Sequence, residues 1–165
     1  AARAAPSAFS NRTRRAAAEG SSDICREGQV TVLTRLVDLR DLQPSQLYIS
    51  EAKLDRIERK FDTSHPQGVP PVPIVRLDGR WMLTDGHTRA FALYRSGARE
   101  VRVIDEPDAL DWAAYRVCVD WCLDEGIEWV GDLADRMLPP REFEQLWLLR
   151  CRRMQEELAR LRGEG

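Results

Sequence analysis

The stretch Arg80-Trp81-Met82-Leu83-Thr84-Asp85-Gly86-His87-Thr88-Arg89-Ala90-Phe91-Ala92-Leu93-Tyr94-Arg95-Ser96-Gly97 decides the reading of the fold. Residues 80–84 read as a short strand. From Ala90 the apolar residues Phe91, Leu93 and Tyr94 follow helical spacing, and Gly97 supplies the stop, because glycine takes the left-handed conformation that closes a helix. The polar pentapeptide Asp85 to Arg89 therefore falls where a strand ends and a helix begins.

Working outward, Pro73-Ile74-Val75-Arg76-Leu77 reads as the preceding strand, joined to the first by the hairpin turn Asp78-Gly79. Val101-Arg102-Val103-Ile104 alternates and predicts a further strand after the helix. Residues 62–73 carry four prolines and Gly68 and read as a loop. Before that loop, Ser50 is placed to cap a helix with Glu51 in its first turn and Leu54, Ile57 and Phe61 on its apolar face. Leu42-Gln43-Pro44-Ser45 reads as a turn. Val30, Val32, Leu36 and Val37 mark a strand ending before Asp38.

The last third reads as helical. Residues 109–125 form one helix, with Trp112, Tyr115, Cys118 or Val119, and Cys122 on one face. A short segment carries Val130, Leu133 and Met137. Pro139 and Pro140 then open a long helix with the stripe Phe143, Leu146, Trp147, Cys151, Met154, Leu158 and Leu161. Both longer helices are expected to cover a core or to form an association surface, for a second copy or another protein.

The fold class expected is α/β of the α+β kind: a small mixed sheet with flanking helices and a C-terminal helical extension. Residues 1–28 are rich in Ala, Arg and Ser and read as a disordered tail that also resembles an organelle transit peptide. Residues 29–105 are the sheet domain, and residues 106–165 the helical extension packed on it.

Composition bounds the function. The 165 residues are 43% apolar and 32% charged, which suits one domain with its own core. A net charge of −2 does not indicate a strongly basic nucleic-acid binder, so DNA is not an expected partner. Of the 25 basic residues only Lys53 and Lys60 are lysines, which fits a coding bias toward arginine. No run of 18 apolar residues occurs, so no membrane span is expected. Cys25, Cys118, Cys122 and Cys151 form no dense disulfide framework and read as thiols packed in a core, in a reducing cytoplasm. His65 precedes Pro66 in the loop and reads as solvated. Trp112, Trp121, Trp129 and Trp147 read as core or interface residues, and Arg150, Arg152 and Arg153 as a solvated face beside Glu156 and Glu157.

The chemistry concentrates at residues 85–89. A helix N-terminus leaves backbone N–H groups unpaired at the positive end of the helix dipole, and such a site attracts phosphate or carboxylate. Gly86 lets the chain turn sharply, Thr88 offers a hydroxyl, and Arg89 a fork for two phosphate oxygens. His87 can donate a hydrogen bond or move a proton, and Asp85 can hold magnesium or orient an acceptor. The bland alternative is structural: Asp85 caps, Gly86 turns and Arg89 pairs with an acidic neighbour.

The run from Leu42-Gln43-Pro44-Ser45-Gln46-Leu47 through Pro73-Ile74-Val75 to Asp85-Gly86-His87-Thr88-Arg89 and Gly97 resembles the ParB/sulfiredoxin superfamily, over roughly residues 29–105, and looks closest to its stand-alone ParB-like members. The resemblance implies that residues 85–89 face a nucleotide phosphate. Sulfiredoxins carry a cysteine in G-C-H-R. His87 stands at that position here, so sulfiredoxin chemistry, which needs a thiolate, is not expected. Partition proteins carry G-E-R-R, of which Gly86 and Arg89 match, together with a DNA-binding helix-turn-helix that has no counterpart after Ile104. Free-serine kinases of the superfamily carry D-G-H-H-R, and this chain departs from it only at Thr88. Their early catalytic glutamate has no match at Ser45 or Gln46, which leaves Glu51 as the candidate.

Three functions follow as expectations. One is a nucleotide-dependent phosphotransferase or hydrolase binding ATP, ADP or CTP with magnesium. In it Asp85, His87 and Glu51 serve in catalysis, Asp85 holds the metal, and Gly86, His87, Thr88 and Arg89 hold the phosphates. Another is a non-catalytic phosphate-sensing or protein-interaction module. The third, DNA partition or nuclease activity, follows from the superfamily name alone.

Overall fold

The computed structural model describes residues 32–164. Among these residues seven strands and five α-helices follow in order: β1 (Arg35–Asp38), β2 (Leu42–Gln43), β3 (Ile49–Ser50), α1 (Glu51–Lys60), β4 (Val72–Leu77), β5 (Arg80–Leu83), α2 (His87–Arg95), β6 (Glu100–Asp105), α3 (Trp112–Asp124), β7 (Met137–Leu138), α4 (Pro140–Phe143) and α5 (Leu149–Arg162). A π-helical stretch, Glu144–Leu148, joins α4 to α5. The fold is α+β, as the sequence pattern predicts.

Five strands form a mixed sheet in the order β1-β6-β4-β5-β2. The hairpin β4–β5 is antiparallel with Leu77 opposite Arg80, so Asp78 and Gly79 are the turn. Both adopt positive φ there, which an aspartate followed by a glycine tolerates. β6 runs parallel to β4 with Val72 beside Val103, and β1 closes that edge antiparallel to β6. Alternation divides β4 between two cores. Val72 and Ile74 face the main core, while Leu77 and half-buried Val75 join Met82, Leu110, Tyr115 and Val119 on the other face.

Three details depart from the sequence reading. Leu42–Gln43 is a short edge strand parallel to β5 rather than a turn, with Leu42 beside Trp81. Its two residues bury fully because the edge lies under the C-terminal half of the chain, where Gln43 Nε2 donates to Ile127 O at 2.8 Å. The first strand begins at Arg35, with Val32 exposed before it; Val30, the tail at 1–28 and Cys25 lie outside the described residues. The long helical stripe is only partly buried: Phe143, Trp147, Cys151 and Met154 enter the core, whereas Leu146 and Leu161 are exposed.

The C-terminal helices share the main core of the sheet. One continuous apolar cluster runs from Leu42, Ile74 and Leu93 to Cys118, Cys122, Trp147 and Cys151. Trp147 is fully buried, and Trp121 meets it edge to face at 6.3 Å. Arg150 lies 4.1 Å over the Trp121 ring, so it belongs to the packing rather than to a solvated face. Asp111 caps α3 through Ala114 N and accepts both guanidinium ends of Arg162, tying the start of α3 to the end of α5. Cys118, Cys122 and Cys151 are buried free thiols, and burial pushes Cys122 up to about 12, away from thiolate chemistry. Among the described residues, no helix is long and apolar enough to cross a membrane.

Candidate functional site

The exit from β5 is held on all sides. Thr84 N donates to Pro73 O at 3.2 Å, its hydroxyl donates to Glu106, and its carbonyl accepts Tyr115 O–H at 3.1 Å. The chain then turns at Gly86, whose φ is +78°. A Cβ on Gly86 would lie 2.6 Å from Val72 Cγ1 and 2.8 Å from Arg89 Nη2, so both conformation and space require glycine. Asp85 Oδ1 accepts Gly86 N at 2.7 Å. Gly86, not Asp85, is the N-cap residue of α2, and no side chain caps the helix. The first α-helical bond runs from Ala90 N to Gly86 O, so the N–H groups of residues 87–89 precede the ladder and face the helix end.

His87 is 1% exposed. Its Nε2 accepts the backbone N–H of Ser45 at 3.0 Å, so in the neutral ring Nδ1 carries the proton. Ser45 is fixed in turn, its hydroxyl donating to Leu83 O at 2.6 Å. Burial lowers His87 from 6.5 to about 4; the Asp85 carboxylate opposes this, and Lys53 and Arg89 add to it. At neutral pH the ring is therefore an uncharged donor held in one tautomer, which does not suit it to proton transfer. Nδ1 has no hydrogen-bond partner among the described residues.

A pocket of about 260 Å³ opens over this helix end, lined by Lys53, Arg56 and Ile57 of α1 and by residues 85–89. Lys53 sits half-buried in the first turn of α1, which Ser50 caps as the sequence predicts. Its ammonium lies 5.5 Å from the Phe143 ring, so the C-terminal extension forms part of the site's foundation. Burial pulls the Lys53 pKa below the usual lysine range; Asp85 opposes the shift and Arg56 reinforces it. The pocket thus gathers two α1 cations and an uncapped helix N-terminus around one carboxylate.

The structure brings Asp85, Gly86, His87, Thr88 and Arg89 together, as the sequence groups them. Arg89 is not simply a fork for phosphate: Nη1 donates to Pro71 O at 2.9 Å and Pro70 O at 3.3 Å, holding the proline loop against α2. Glu51 is exposed on the first turn of α1 and does not line the pocket. His65 is exposed and lies 3.6 Å from Asp62. Sequence reasoning missed Lys53, Arg56 and Ser45. The first two lie one turn apart on α1, a spacing that could have marked a basic helix edge. No local signal marks Ser45 as the partner of a histidine 42 residues away.

Neither a protein-family model nor a curated protein matches the chain. Among solved structures, the chain is similar to protein Atu1540 from Agrobacterium tumefaciens, at 16% identity and a TM-score of 0.36. The matched region covers 59% of this chain and spans half the length of that protein.

Proposed function

We propose that the pocket at the N-terminus of α2 binds the phosphate of a small molecule, a nucleotide foremost. The observation that carries this reading is His87. It is buried, neutral and fixed by Ser45, its Nδ1–H has no partner among the described residues, and the residue lines a pocket that also holds Lys53 and Arg56. A buried donor without a partner costs about 1–3 kcal/mol, and an anionic oxygen would satisfy it. The N–H groups of residues 87–89 supply further donors, and the two cations supply the charge. The resemblance of Asp85-Gly86-His87-Thr88-Arg89 to the ParB/sulfiredoxin superfamily supports the same ligand class.

A second reading, phosphoryl transfer or hydrolysis, draws on Asp85, the carboxylate in the pocket lining. Its charge partly opposes the downward shift that burial imposes on Lys53. One carboxylate beside Lys53 and Arg56 is a poor resident site for a divalent cation. Magnesium would enter on the nucleotide's own phosphates, with Asp85 giving one oxygen. The chain's own residues would bind and orient the phosphates and hold charge on them.

Calorimetric titration with ATP, ADP, CTP and GTP, with and without magnesium, tests the proposal. Lys53→Met is the control of choice, because Arg89→Ala would also release the proline loop. Saturable binding that Lys53→Met weakens is the expected result. Binding of equal strength in both proteins would remove the pocket from the account, and turnover lost in Asp85→Asn would carry it on to catalysis.

A further inference from the structure

A second cleft, of about 320 Å³, lies at the other end of α2. Its walls carry Asp38, Arg40, Tyr94, Arg99 and Trp129, over a floor that includes buried Leu39. None of these residues lines the pocket at the α2 N-terminus.

The aromatic wall is built in. A Cβ on Gly131 would lie 2.2 Å from the Trp129 ring, so the indole occupies the space that only a glycine leaves. Asp132 holds the backbone before it, accepting Glu128 N at 2.8 Å and Trp129 N at 3.1 Å. Tyr94 meets the indole edge to face at 5.3 Å, and the Arg40 guanidinium lies 5.8 Å from the ring centroid. These contacts hold a flat surface in place before any ligand arrives.

The charged wall is not spent internally. Arg99 is exposed, and its guanidinium has no hydrogen-bond or ion-pair partner among the described residues. Its backbone is anchored, since Leu39 N donates to Arg99 O at 2.9 Å and so joins the segments carrying Arg40 and Arg99. Asp38 Oδ1 is taken by Arg40 N at 2.8 Å. The cleft therefore offers an oriented indole, a stacking guanidinium and an unpaired fork.

We propose that this cleft is a separate binding site for an aromatic carboxylate, a flat ring bearing an anionic group. The ring packs against Trp129 and the Arg40 guanidinium, and the carboxylate takes the two-pronged fork of Arg99. Benzoate and indole-3-acetate are the probes, followed on the whole chain by ligand-observed NMR and calorimetry. Cyclohexanecarboxylate tests the ring, and benzyl alcohol tests the charge. Arg99→Ala, an exposed change that leaves the core untouched, weakens the aromatic acids by about tenfold or more. Trp129→Leu weakens them as well, and Lys53→Met leaves them unchanged. Equal binding of cyclohexanecarboxylate overturns the proposal, because the indole then reads nothing. Binding indifferent to Arg99→Ala, binding lost in Lys53→Met, or no binding by either aromatic acid also overturns it.

Discussion

Acidification should weaken this fold through one buried imidazole. In the folded chain His87 stays neutral down to about pH 4, whereas an unfolded chain takes up the proton near 6.5. Between those values the unfolded state holds more protons, so stability rises with pH and is lost as pH falls from 6.5 toward 4. The full difference corresponds to about 3 kcal/mol. At pH 5 roughly 2 kcal/mol of it is already gone. The physical source is burial, which leaves a charged ring without water; the Asp85 carboxylate opposes the shift, and Lys53 and Arg89 add to it. Urea denaturation at pH 7 and pH 5 measures the loss. His87→Gln keeps an acceptor for Ser45 and removes the titration, so the difference between the two proteins isolates His87 from the carboxylates. A variant that loses as much stability between these pH values as the parent refutes the reasoning. So does an imidazole that titrates near 6.5 in the folded chain.

Further outcomes follow from the same geometry. Gly86→Ala forces a Cβ against Val72 and Arg89 in a left-handed conformation and should cost about 2 kcal/mol or more, read by thermal unfolding. Trp147→Ala empties a fully buried site at the junction of sheet and C-terminal helices and should cost about 3–5 kcal/mol. Its unfolding should remain one transition followed equally by far-UV and near-UV signals, because both halves share one core. Anion affinity should decline with rising pH below the range of an ordinary lysine, since Lys53 loses its charge early, and Lys53→Arg should move that decline upward.

The legible part of the fold was what local pattern controls. The hairpin at Asp78-Gly79, the cap at Ser50, the stop at Gly97 and the strand–turn–helix around Gly86 all follow from short-range sterics and hydrogen bonding. What escaped depends on distant partners. Leu42–Gln43 pairs as a strand only because β5 offers it an edge, a contact 39 residues away in sequence. Leu146 keeps helical spacing with Phe143 yet stays exposed, because a stripe marks one face and not how much of it a neighbour covers. At the site, the pentapeptide was visible as a polar cluster at a helix start. Its electrostatics were not, since Lys53 and Arg56 arrive from α1 and Ser45 from the loop before it. Arg89 shows the converse: a residue type suited to phosphate is engaged by the carbonyls of Pro70 and Pro71.

The most direct test of the phosphate reading is nitrogen-15 NMR of the His87 ring during a titration with ATP. The account predicts a neutral ring protonated at Nδ1 from the outset, with the Nδ1–H proton moving downfield and exchanging more slowly as the ligand saturates. A ring protonated at Nε2, or saturable binding of ATP that leaves the Nδ1–H signal unmoved, would contradict it.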